Sequence, residues 1–159
     1  DQKTIVINGK HSCDVFNVKK DYRTRIGSDT IEFDHRQTKT KLLLDDYTCT
    51  KAIERKIIGY KYQDNKKNIH DADTIISLQE AKQKLIDCDL KCAYCTKDVK
   101  VIYRIVRDPL QWTLDRIDNK KNHSNVNTII ACLHCNLKQR KINKEKFEFT
   151  QNMVIVKSK

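Results

Sequence analysis

Two Cys-x-x-Cys pairs give this sequence its clearest chemical pattern. Each pair places two thiols close enough to bind one side of a metal ion, and a structural zinc site takes four such ligands in a tetrahedron. The 36 residues between the pairs are too many for a minimal zinc ribbon and leave room for a hairpin and a loop. We therefore predict one structural Zn²⁺, bound by Cys92, Cys95, Cys132 and Cys135.

The residues between and just after the pairs form a second pattern. It runs Leu114-Asp-Arg-Ile-Asp-Asn119, then Asn127, then Cys132-x-x-Cys-Asn136 with Lys138. This pattern resembles HNH endonucleases of the ββα-metal (His-Me finger) superfamily, and in particular their zinc-braced branch, which includes phage endonuclease VII. The likeness covers about residues 78–142 and matches the form of the motif that is frequent in phage and viral proteins.

The resemblance and the residue patterns on either side of it together predict an α+β fold with three parts. A zinc-stabilised ββα-metal domain is expected over residues 76–145, in which zinc holds a hairpin against a helix. Before it lies a β-containing N-terminal region, residues 1–75, of unknown role. Residues 146–159 are expected to pack on the domain as a C-terminal tail.

The resemblance also implies a second, catalytic metal ion. Asp115 and Asn136 match the ligands of that ion, and their carboxylate and amide oxygens are hard ligands suited to Mg²⁺ or Mn²⁺. Asn127 matches the middle asparagine of the motif, which ties the loop by side-chain hydrogen bonds. The expected cofactors are therefore Zn²⁺ for structure and Mg²⁺ or Mn²⁺ for catalysis.

One position departs from the family pattern. The usual general base is a histidine directly after the metal-binding aspartate, whereas this chain has Arg116, which stays protonated and cannot accept a proton from water. In a regular strand Asp115 and Arg116 point to opposite faces, so they share a site only if the strand ends or bulges there. His123 in the following loop is the first candidate for a replacement base and His134 the second. Asp118 is a candidate acceptor for the arginine, or else a turn residue.

The net positive charge is concentrated in the half of the chain that carries the cysteine pairs. Residues 1–80 have 15 basic and 13 acidic side chains, and residues 81–159 have 17 and 8. A basic surface attracts phosphate polymers through counterion release, which salt weakens. We therefore expect DNA as the partner, with RNA as an alternative, contacted by Arg116, Lys138, Arg140 and Lys141.

Together these features predict a metal-dependent DNA endonuclease that hydrolyses phosphodiester bonds. The alternative is a non-catalytic zinc module, derived from an HNH fold, that binds nucleic acid or builds a larger assembly. Arg116 at the position of the usual base makes that alternative serious. A third class, a protein-interaction zinc domain, predicts no appreciable DNA affinity. Each of these three functions is compatible with a homodimer or with a chain that is part of a larger assembly.

Cysteine usage and hydropathy indicate an intracellular, reducing compartment, whether cytoplasm, nucleus or virus-associated. Seven cysteines are an odd number, and no apolar run approaches the roughly 20 residues that span a bilayer, so no membrane partner is expected. Outside the two pairs, Cys13, Cys49 and Cys88 lack any metal-ligand spacing and are predicted to be ordinary thiols.

Alternating and helical patterns predict the elements of the first half of the chain. Residues 4–7 and 14–18 alternate as the strands of a hairpin with a turn at Asn8-Gly9. Asp45 or Asp46 is expected to cap a helix that ends at Gly59. The polar residues 60–72 indicate a loop or boundary.

The second half of the chain is predicted to contain a helix, then two strands, then a second helix. Ser77-Leu-Gln-Glu80 has the form of a capping box, and we expect its helix to run through about Asp87. Residues 99–106 and 111–117 are predicted strands, separated by a turn at 107–109. A short helix is expected over about 133–142.

Overall fold

The computed structural model describes residues 31–140 and shows a mixed α+β arrangement. Its four helices are α1 (His35–Leu43), α2 (Tyr47–Lys66), α3 (Leu78–Asp87) and α4 (Leu133–Gln139). Its two strands are β1 (Trp112–Arg116) and β2 (Thr128–Cys132). The predicted hairpin at residues 4–18, the tail at 146–159 and Lys141 lie outside the described residues. No helix within the described range is long and apolar enough to cross a membrane.

Side-chain caps determine where the first three helices begin. The Asp34 carboxylate accepts from the Gln37 backbone N–H at the start of α1, and the Asp46 carboxylate accepts from the backbone N–H groups of Thr48 and Cys49 at the start of α2. These bonds satisfy backbone donors that have no partner inside the helix. The capping box predicted at the start of α3 is confirmed, because Ser77 and Glu80 each bond the other's backbone N–H.

Helix α2 is longer than the sequence predicts. The prediction that it ends at Gly59, with a loop from residue 60, is wrong, because the helix continues to Lys66. The buried stripe of Ile57 extends through Tyr60 and Asp64, so tertiary contacts stabilise the additional turns. A helical glycine costs about 1 kcal/mol relative to alanine, which such burial readily exceeds.

The hairpin is regular along its whole length. Strands β1 and β2 pair antiparallel without a bulge, from Trp112 opposite Cys132 to Arg116 opposite Thr128. Alternate side chains of β1 therefore face opposite sides of the hairpin. Every residue of β1 is buried, because α2 covers the side of Arg116 and α4 covers the side of Asp115.

The predicted strand over residues 99–106 is wrong. Residues 99–106 hold no continuous strand: Lys100 forms an isolated bridge to Gln111, the chain bends directly afterwards, and Ile105 is a further isolated bridge position. Val101 and Ile102 are consecutive and both buried, which a strand with one buried face does not allow. The turn at residues 106–107 and the strand at 112–116 agree with the sequence patterns.

One apolar core joins the hairpin to the helices around it. Its most buried members include Trp112 and Leu114 of β1, Ile53 of α2 and Leu85 of α3, and three of the paired cysteines lie in the same cluster. Contacts of this core connect residues on both sides of position 75. The hairpin is thereby fixed between α2 and α4, and this determines which side chains can meet around β1.

Candidate metal centre and polar site

The four paired cysteines converge on one point. The Sγ atoms of Cys92, Cys95, Cys132 and Cys135 all lie within 4.8 Å of one another, and three of the four residues are buried. Sulfur to sulfur, Cys95 and Cys132 are 3.8 Å apart, and all four are free thiols. A tetrahedron with Zn–S bonds of about 2.3 Å has edges of about 3.8 Å. The cluster thus has the ligand type, number and spacing of a structural zinc site.

Short-range backbone bonds bring the two cysteine pairs together. In the first pair, the Cys92 N–H donates to Lys97 O and the Thr96 N–H donates back to Cys92 O, with Thr96 in the left-handed region at φ 60°. In the second pair, Cys132 ends β2 and its sulfur accepts from the Cys135 N–H at 3.4 Å, which starts α4. The Ala93 N–H donates to Ile130 O and joins the first pair to the hairpin.

The electrostatics of the cluster also favour a bound cation. Hydrogen bonds from Cys132 and Cys135 lower the pKa of Cys92, whereas hydrogen bonding with Cys132 raises the pKa of Cys135. The two directions are opposite because closely spaced sulfurs donate hydrogen bonds to one another. Four thiolates this close repel one another strongly, and a divalent ion that displaces their protons removes that repulsion.

Asp115, on the α4 side of β1, has its carboxylate held by two neighbours. The Tyr94 hydroxyl donates to its Oδ2 at 2.6 Å. With the Gln139 amide turned to satisfy both groups, its nitrogen donates to Asp115, 2.9 Å from Oδ1, and its oxygen accepts from Tyr94 at 3.1 Å. The carboxylate is 5% exposed. It lies where three elements meet: the first cysteine pair, β1 and α4.

Asn136 lies on the same side of the hairpin as Asp115. Its Nδ2 donates to Thr113 Oγ1 at 2.9 Å, and Thr113 is two residues from Asp115 on the same face of β1. Because the amide nitrogen is used in this way, Oδ1 is the atom left to bind a ligand. Asn136 is buried, with 6% of its surface exposed. The structure thus places both predicted ligands of the catalytic ion between β1 and α4.

Arg116 faces the other way, toward α2. Its guanidinium donates to the carbonyls of Asn119 and Lys121 at 3.2 and 3.1 Å, and it lies 4.0 Å from Asp64 Oδ1. The regular strand separates it from Asp115, so the two do not share a site. Asp118, one predicted acceptor for Arg116, instead accepts from the Lys120 backbone N–H, which is its turn-forming role.

His123 lies on the same side of the hairpin as Arg116. Its Nδ1 is 2.7 Å from Asp64 Oδ1, its backbone N–H donates to Asp64 Oδ2 at 2.9 Å, and its ring stacks on Tyr60 with centroids 4.5 Å apart. Burial lowers the pKa of His123, although Asp64 opposes this, and Arg116 and Lys67 lower it further. The structure brings His123 to Asp64 and Arg116, whereas Tyr94 and Gln139, which bond Asp115, lie on the opposite side of β1.

Asn127 fixes the loop between the strands. Its Oδ1 accepts from the Asp118 backbone N–H at 2.9 Å, and its Nδ2 donates to the carbonyls of Asp118 and Asn122 at 3.0 and 2.9 Å. This is the loop-fixing role expected from the sequence. His134, the second candidate base, is half-buried at the start of α4, and burial lowers its pKa.

The basic residues predicted to contact phosphate differ in their exposure to solvent. Lys138 and Arg140 are exposed at the end of α4, whereas Arg116 is buried. The nearby positive charges of Arg116 and Arg140 lower the pKa of Lys67, just past the end of α2. Positive charge from the ends of α2 and α4 therefore accumulates around the loop end of β1.

Sequence reasoning missed three polar residues that lie on the two sides of β1. Asp64 is 0% exposed and occupies the buried stripe of α2, one turn after Tyr60, so a carboxylate at helical spacing from apolar residues was the signal for it. Gln139 follows Asn136 by three residues and lies on the same face of α4. Tyr94 lies between the predicted zinc ligands Cys92 and Cys95, and no sequence pattern indicates that it bonds Asp115.

The depressed pKa of His123 predicts a dependence of stability on pH. Its pKa in the fold lies below the ordinary value of 6.5, so the unfolded chain binds the proton more readily. The unfolding free energy should therefore fall as the pH drops below about 6.5, by at most about 1.4 kcal/mol per pH unit from this group.

Urea unfolding of the wild type and of His123→Gln between pH 8 and pH 5 checks this expectation. Taking the difference between the two proteins cancels any pH effect of the cysteine cluster, which both proteins share. His123→Gln should show the shallower pH dependence, and equal slopes would contradict the expectation.

Comparison of the chain with protein-family models, with curated proteins and with solved structures found no match. The chemical interpretation of this site therefore comes from its own residues and from the sequence pattern described above.

Proposed function

We propose that this chain is a metal-dependent DNA endonuclease of the HNH type, braced by a structural zinc ion. The observation that carries the proposal is the common location of Asp115 and Asn136. They are 21 positions apart in the sequence, yet both lie between β1 and α4, linked by the bond from Asn136 to Thr113. This is the arrangement that a hairpin pinned to a helix by a sulfur-bound metal has to produce.

The two residues fit a hard divalent cation. Asp115 offers a carboxylate and Asn136 an amide oxygen, and two protein ligands leave most positions of Mg²⁺ or Mn²⁺ for water and phosphate. Such an ion, when bound, polarises a phosphodiester and neutralises charge on the leaving oxygen. Exposed Lys138 and Arg140 at the end of α4 would hold neighbouring phosphates of the DNA.

Hydrolysis also needs an acceptor for the proton of the attacking water. Arg116 cannot serve, and Asp64 keeps His123 oriented with Nδ1 as the proton-bearing atom, so that Nε2 is its accepting atom. His123 is 3% exposed and lies on the α2 side of β1, away from the partners of Asp115. This position favours solvent over His123 as the acceptor of the proton from the attacking water.

A plasmid-nicking assay tests the proposal. In Mg²⁺ or Mn²⁺, the wild type should convert supercoiled DNA to open circles, and Asp115→Ala should reduce the rate at least about 100-fold because the ion loses its only charged ligand. Asn136→Ala should act in the same direction. Asp73→Ala, at an exposed aspartate outside the site, is the matched control and should nick at the wild-type rate.

The second candidate function is a non-catalytic zinc module that binds nucleic acid. It is favoured by the burial of Asp115, whose carboxylate is already bonded to Tyr94 and Gln139. It predicts no nicking by the wild type, but DNA binding that weakens steeply with salt. Absence of both nicking and low-salt DNA affinity would exclude both candidates and leave a protein-interaction domain.

A further inference from the structure

We propose that Tyr94 is a positioning residue that couples the four-cysteine centre to the Asp115 carboxylate. The inference rests on the proposed function, in which Asp115 holds a divalent ion. It adds that zinc does more than stabilise the fold: through Tyr94 it sets the orientation of a carboxylate outside the sulfur cluster.

The position of Tyr94 depends directly on the cysteine centre. It lies between Cys92 and Cys95, so its backbone belongs to the loop that delivers two of the four sulfurs. Its hydroxyl donates to Asp115 Oδ2 at 2.6 Å. A hydrogen bond from a neutral hydroxyl to a carboxylate is short and roughly twice as strong as one between neutral groups, so it holds the acceptor in one rotamer.

The other partner of the carboxylate is tied to the same centre. Gln139 follows Cys135 by one turn of α4 and bonds both Asp115 and the Tyr94 hydroxyl. Tyr94 and Gln139 are thus each anchored within a few residues of a cysteine of the cluster, one in each pair. A movement of either cysteine pair therefore changes the hydrogen bonds at Asp115.

This arrangement predicts thermodynamic linkage between the two metal sites. Zinc fixes the position of Tyr94, and Tyr94 fixes the orientation of Asp115. A protein with zinc bound should therefore bind the second ion more tightly than a zinc-free protein in which the loop of Cys92 and Cys95 can move. Groups that orient a metal ligand by hydrogen bonds typically contribute about 10- to 100-fold to metal affinity. Loss of the Tyr94 hydroxyl should therefore weaken binding of the second ion while the sulfur site keeps its zinc.

The test measures Mn²⁺ binding to the zinc-loaded full chain by electron paramagnetic resonance, without DNA. Tyr94→Phe removes only the hydroxyl and should raise the Mn²⁺ dissociation constant about 10-fold, with zinc content unchanged. Gln139→Ala, at a half-buried position of α4, provides a second variant in case the first folds poorly, and it should act in the same direction. Tyr62→Phe, at a tyrosine that is 70% exposed, is the control and should bind as the wild type does.

Asp115→Ala separates this inference from the proposed function. If Asp115→Ala loses Mn²⁺ binding while Tyr94→Phe and Gln139→Ala bind normally, the ion site stands and the positioning role is overturned. If Asp115→Ala binds Mn²⁺ as tightly as the wild type, the ion site itself is wrong and the positioning role falls with it. Weakened binding in Asp115→Ala, Tyr94→Phe and Gln139→Ala, with zinc retained, supports the coupling.

Discussion

Replacing Cys132 with serine, or stripping the metal with a chelator, is expected to unfold the hairpin and α4 together. Cys132 belongs to three elements of structure at once, because it ends β2, caps α4 through its sulfur and lies in the four-sulfur cluster. Structural zinc binding contributes about 10–16 kcal/mol in small zinc domains, which exceeds the total stability of most domains of this size. The apolar core alone is therefore not expected to hold the hairpin.

Metal analysis and circular dichroism check this expectation. The wild type should carry about one zinc per chain and lose its cooperative thermal transition in chelator. Cys88→Ser is the matched control, since Cys88 is a half-buried thiol outside the cluster, and it should keep zinc and melt close to the wild type. A zinc-free protein that stays fully folded would rule out the structural role of the metal.

Asp64→Ala is expected to cost the fold about 3–5 kcal/mol, the usual penalty for removing one partner of a buried charged pair. Asp64 is fully buried and accepts from both the backbone N–H and the ring of His123, with Arg116 4.0 Å away. Alanine leaves two buried donors without an acceptor and a buried guanidinium without its nearest carboxylate. Because His123 and Arg116 both lie against the loop between the strands, the damage should reach that loop.

Urea unfolding at neutral pH measures this effect. Asp64→Asn should cost less than Asp64→Ala, since an amide oxygen can still accept one of the two bonds. Asp87→Ala, at an exposed helical aspartate near the end of α3, is the control and should change the unfolding free energy by less than about 0.5 kcal/mol. A loss below about 1 kcal/mol in Asp64→Ala would show that water or a neighbouring side chain replaces the carboxylate.

The parts of the fold that follow from local chemistry could be predicted from the sequence. The Cys-x-x-Cys spacing indicated the four-sulfur cluster, and Ser77 with Glu80 indicated the start of α3, because each depends on residues close together in the chain. The strand at Trp112–Arg116 followed from its β-forming residues.

The parts that depend on tertiary packing could not be predicted. Gly59 is typical of a helix end. Helix α2 continues past it because Tyr60 and Asp64 form hydrogen bonds with the hairpin and its loop, which the sequence does not show. The β-branched and aromatic residues after Val99 indicate a strand, yet the chain bends there, with Val101 and Ile102 both buried in the core. Equally, no sequence pattern shows that α2 supplies the acceptor for His123.

Strand β1 has helices on both sides and no residue facing solvent. Each of its five side chains is therefore selected for how it packs or bonds internally, including the two that carry charge. A substitution at any of these five positions therefore alters interior packing or hydrogen bonding before it alters the surface. Near the hairpin, exposed side chains lie instead at the ends of α2 and α4 and at the tip of the loop between the strands, as Lys67, Arg140 and Lys120 do.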